Sequence, residues 1–145
     1  MKKLLSIILV LLLVASPAFA NSAVTMAVYN SLANSYGAPE LTKDMITTEK
    51  GNEINFYCND MIISFDNGHA VVIAADSADF LPACVCASLT IAKSTDGAIS
   101  FFGNLLYSYM TVKSGKTPQT GFFNTMCFTV NTMSDGKLFF FIGDS

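Results

Sequence analysis

Four cysteines, a single histidine and a few acids are the residues of this chain whose types can do chemistry, and their spacing decides which chemistry. Cys84 and Cys86 are separated only by Val85, while Cys58 and Cys127 lie far along the chain on either side. A bond between Cys84 and Cys86 closes a small strained ring, and on a helix two residues apart point to opposite sides. In an oxidising compartment the even count therefore predicts two disulfides, with one member of the pair reaching Cys58 and the other Cys127; which takes which stays open. The alternative use of Cys84 and Cys86 is thiol–disulfide exchange, since a thiolate near a helix start is reactive and both follow Pro82. The usual oxidoreductase pair has two intervening residues, so redox activity is only the enzymatic alternative, and for the four cysteines buried free thiols come before it and before metal binding.

The other group is Glu53, Asp66 and His69. If Asn59-Asp60 and Asn67-Gly68 are two-residue hairpin turns, Asp66 faces both Glu53 and His69 across neighbouring strands, and Cys58 faces Met61. Two carboxylates beside an imidazole suit a weak divalent-metal site or an acid–base pair. Residues flanking turns are ordinarily polar and solvated, which is the plainer account. Cys58 and His69 fall on opposite faces and ~17 Å apart in this register, too far for a nucleophilic pair. The chain has no nucleophile elbow and no glycine-rich phosphate loop, so neither a catalytic residue nor a cofactor is expected.

The elements that position these residues follow from periodicity. Val24, Ala27, Val28, Leu32 and Tyr36 recur at helical spacing until Gly37 and Pro39, predicting a helix over 22–36. Turn signals at Lys50-Gly51-Asn52, Asn59-Asp60 and Asn67-Gly68 then predict a meander of three or four antiparallel strands. One face carries Ile54, Phe56, Cys58, Met61, Ile63, Phe65, Ala70, Val72 and Ala74, the alternation a core face demands. The opposite face mixes Glu53, Asn55, Ser64, Asp66 and His69 with the apolar Tyr57, Ile62, Val71 and Ile73.

Residues 78–93 read as a helix capped by Asp76-Ser77, with Pro82 in the first turn. Residues 99–112, with Gly103 inside, fit either a helix or a pair of strands, the helix being preferred; 113–120 reads as a loop, and 122–133 with 137–142 as a closing hairpin around Asp135-Gly136. The last strand is apolar on both sides and belongs inside the sheet or under cover. Asn67-Gly68 and Asp135-Gly136 each precede an apolar run and an Asp-Ser pair; hairpin grammar alone generates such an echo.

The first twenty residues set the address. Lys2 and Lys3, the apolar run 4–15, Pro17 and the small-residue site Ala18-Phe19-Ala20 predict a signal peptide, 1–20, and a secreted or periplasmic mature domain, 21–145. The apolar run is too short to span a bilayer, so no stable membrane anchor is expected after cleavage. The mature part holds six lysines against eleven acids, a formal charge of −5, and no arginine. That argues against nucleic acid and anionic membranes as partners. The predicted fold class is α+β: an antiparallel sheet of five or six strands, with an N-terminal helix and one or two central helices packed mainly on one face. The predicted function is a non-enzymatic binding module, inhibitor- or chaperone-like in type. Its partner surface would be Tyr57, Ile62, Val71 and Ile73, facing a protein, a second copy or an apolar ligand, unless helix 99–112 covers them, the arrangement the pattern favours.

Overall fold

The structure, a computed structural model, describes residues 22–115 and 117–144; the expected signal peptide lies outside them. Helix α1 (Ser22–Tyr36) leads through a 3₁₀ turn to strands β1 (Ile46–Lys50), β2 (Glu53–Cys58), β3 (Met61–Asp66) and β4 (His69–Ala74). Helices α2 (Phe80–Ala92) and α3 (Ala98–Lys113) follow, then β5 (Gln119–Phe123), β6 (Met126–Thr132) and β7 (Leu138–Asp144). All seven strands form one antiparallel sheet in the order β1-β2-β3-β4-β7-β6-β5. Two meanders thus meet at a β4–β7 seam, and the helical connection carries the chain to the far edge before it returns.

The fold is the α+β class expected, with seven strands instead of five or six. The extra strand arises because residues 122–133 do not run straight: Asn124-Thr125 turns the chain between the Phe123–Met126 pair, with Asn124 at φ +54°. Asparagine tolerates that left-handed backbone, as Asn59, Asp60 and Asn67 do in the earlier turns. The meander register is as read, with Cys58 opposite Met61 and Asp66 opposite both Glu53 and His69.

All three helices lie on one side of the sheet. Tyr29 of α1 meets Phe65 edge-on, Phe101 of α3 stacks on Phe123 at 4.5 Å, and α2 packs between α1 and α3 over β3 and β4. Central α2 is the most enclosed element, buried without interruption from Ala83 to Thr90. Its two hydroxyls there are satisfied internally: Ser88 donates to the Cys84 carbonyl and Thr90 to that of Cys86, each at 2.6 Å. The helix begins later than the sequence suggests. Asp79 holds the N-cap position, and Asp76 is occupied elsewhere.

Helix α3 therefore does not cover the second face. Phe101, Leu105, Ser108 and Val112 point into the core, and Phe101 packs against Phe123 and Phe128 on the same side as α1 and α2. The expected covering of Tyr57, Ile62, Val71 and Ile73 by residues 99–112 is overturned.

Candidate functional site

Alternation along the strands and the register of their pairing place the open-face residues in three rows that cross the sheet. The first row holds Tyr57, Ile62, Ile73, Phe139 and Asn131. The middle row holds Asn55, Ser64, Val71, Phe141, Thr129 and Thr120. The third runs from Lys50 through Glu53, Asp66 and His69 to Cys127 and Phe122, with Gly143 between the histidine and the cysteine. The first row is mainly apolar, the middle row is apolar only at Val71 and Phe141 in its centre, and neither carries a charged side chain; Lys50, Glu53 and Asp66 are gathered in the third.

Among the described residues nothing packs over this face. Tyr57 is 51% exposed, Ile62 38% and Phe122 68%, while Val71, Ile73, Phe139 and Phe141 are half-buried by one another. Their sheet neighbours on the helical face, Phe56, Ile63, Val72 and Phe140, are 0% exposed. Phe139 and Phe141 extend the four residues read from sequence onto β7, and Phe122 exposes a further ring on β5 beyond the polar Asn131 and Thr129 of β6.

His69 shapes one end of it. Its ring stacks on Phe141 at 5.7 Å and lies flat over Gly143, where an added Cβ would come within 2.1 Å of the ring. Nδ1 lies 3.2 Å from the Asp66 carbonyl oxygen, which accepts its proton in the Nδ1–H tautomer. The imidazole is thus a flat aromatic wall on the face. Glu53, Asp66 and His69 do share a row, but among the described residues no group of three His, Cys, Asp or Glu is arranged to hold a metal ion.

The cysteines are free. Cys58, Cys84 and Cys86 are buried on the helical side, whereas Cys127 is half-exposed on the open face. The expected pairing of a Cys84/Cys86 sulfur with Cys127 fails because the sheet itself stands between them, and none of the four is bridged. Burial pushes the Cys86 thiol up to about 12 and Cys84 well above its ordinary value. Both are held as thiols, the opposite of the accessible thiolate that disulfide exchange needs.

Two other features stand away from the face. At the end of the sheet, a cleft of about 520 Å³ is lined by Asp76, Lys113, Asn131, Thr132 and Leu138 among others. Its charges are spent on each other: Lys113 Nζ lies 2.7 Å from one Asp76 oxygen, and the Tyr109 hydroxyl donates to the other at 2.5 Å. Those partners, Lys113 first, hold the Asp76 carboxyl below its ordinary value and tie the end of α3 to the loop before α2. The outer side of α3 also exposes Ile99, Phe102, Tyr107 and Met110.

No helix among the described residues is long and apolar enough to cross a membrane. No family model matches the chain, and no curated protein or solved structure matches it.

Proposed function

We propose that the protein is a secreted or periplasmic, non-enzymatic binding module whose contact surface is the open face of its sheet. The observation that carries this reading is the row Tyr57, Ile62, Ile73 and Phe139, apolar across four adjacent strands and left without a cover by the described residues. Aqueous exposure of such a patch is unfavourable by roughly 25 cal/mol per Å² of apolar area, and association removes that penalty. The signal-like N-terminus supplies the address, and the uncharged centre favours a partner matched by shape and apolar area.

The test is native mass spectrometry of the exported chain, wild type against Ile62→Asp. The wild type should retain a non-covalent mass beyond its own chain. Ile62→Asp should lose it with a melting temperature nearly unchanged, since exposed positions usually shift stability by less than ~0.5 kcal/mol. A strongly destabilised Ile62→Asp, or a wild type carrying no added mass, would sink the reading.

A further inference from the structure

We infer that the occupant of the open face is a second copy of this chain, packed face to face so that two sheets close into a sandwich with helices on both outer sides. The inference rests on the binding reading above and adds the partner's identity. Three observations carry it: the area of the face, the placement of its charges, and its centre.

The area separates the two exposed apolar surfaces. Seven strands spaced ~4.8 Å apart, with six or so residues of ~3.3 Å each, give a face of about 30 by 20 Å, or ~600 Å² per copy. Two such faces remove ~1,200 Å² from water, which reaches the lower range of specific, stable interfaces. The outer stripe of α3, from Ile99 to Met110, is only ~17 Å long and ~10 Å wide, so a pair of stripes stays well short of that range. The sheet face is the larger contact by a factor of about three.

The charges argue for self-association over a charge-matched partner. Lys50, Glu53 and Asp66 all lie in the third row, the other two rows have no charged member, and the one acid beside them, Asp60, sits in the turn at the edge, where it accepts from the Tyr57 hydroxyl. The acidic excess of the chain is therefore kept off the middle of the face, where repulsion between two copies would be strongest. A partner chosen by opposite charge would find little there to read. What remains to be matched is twist and pleat, and a second copy has the same hand and strand spacing by construction, the condition for aligned sheet packing.

The centre follows from topology. β4 is the fourth of seven strands, and Val71 sits in the middle row on it, between Ser64 and Phe141. A two-fold axis lying in the interface and passing through the centre of the sheet brings Val71 against Val71 of the second copy. Val71→Lys thus places two like charges in contact at the symmetry point, while each monomer keeps its helical-side core.

Sedimentation velocity on the exported chain, run up to ~100 µM, reads the outcome. The wild type should sediment as a dimer, and Val71→Lys should raise the dissociation midpoint by more than ~10-fold, with a melting curve that matches the wild type's once both are diluted to monomer. Ser64→Lys, at a half-buried polar position beside it, is the second variant should Val71→Lys not fold, and it should dissociate the dimer likewise. Ile99→Lys on α3 should leave the dimer intact. A monomeric wild type, a dimer indifferent to both face variants, or a dimer broken by Ile99→Lys would each overturn the inference. If the native mass spectrum then shows an added mass other than one chain, removed by Ile62→Asp, the copy is wrong and the binding face stands. With no added mass at all, both fall.

Discussion

The two faces of the sheet carry the same kinds of side chain at their centres and meet opposite conditions. Phe140 and Phe139 are adjacent on β7, one 0% exposed under the helices and the other half-buried on a bare face. Each face also hides a glycine beneath a ring from the neighbouring strand: Gly121 lies under Phe128 on the helical side, and Gly143 under His69 on the open side. The difference is not in the strands. It comes from the helices, which among the described residues all pack on one side, so composition alone cannot say which apolar row is core and which is surface.

Paired substitutions on β7 give the widest separation of the two faces. Phe140→Ala should cost ~3–5 kcal/mol by removing a ring from a closed core, and Phe139→Ala less than about a third of that. Equal losses in chemical denaturation, measured at concentrations where the chain is monomeric, would mean that a part of the chain itself covers the open face. Gly143→Ala comes next. Its methyl group must displace the His69 ring, at a cost of ~1–3 kcal/mol, and His69→Ala in the same chain should return most of it. An additive double mutant would show that the ring does not rest on Gly143.

The smallest effect has the opposite sign and belongs to the covered face. The Tyr29 hydroxyl is buried without a hydrogen-bond partner, and desolvation holds its proton on far above the ordinary phenol value. Tyr29→Phe removes that unsatisfied group while keeping the ring on Phe65, so it should stabilise by ~1 kcal/mol. A loss of stability would reveal a partner for that hydroxyl.

Much of the first meander was legible because its turns are written in Asn, Asp and Gly, which accept the positive φ of tight hairpins. The turn residues set the register from Glu53 to Ala74, and the register divided the faces. The second meander was harder: Asn124-Thr125 lacks a glycine and sits inside a run rich in Phe and Met, so 122–133 read as one strand. Phe139 and Phe141 escaped the candidate surface for a related reason. A strand apolar on both sides looks doubly buried, and only the absence of a layer beyond it shows otherwise. The cysteines failed on parity across strands that local spacing does not relate: Cys127 belongs to a row that ends on the side away from Cys84 and Cys86. The Asp76–Tyr109–Lys113 cluster joins residues more than thirty positions apart, which no local pattern announces.

The seam between the meanders has a consequence in time. β4 can pair with β3 as soon as the Asn67-Gly68 turn forms, but its other edge waits for β7, because Ala70 pairs with Ile142 and Ala74 with Leu138. Closing a loop of that length sets its entropy cost against contacts that arrive only at the end, which slows folding relative to hairpin formation. During that interval the middle of the eventual sheet is a bare strand edge flanked by Val71 and Ile73, a template for pairing with other chains. Folding of this chain therefore favours an escort, or rapid completion, over slow maturation.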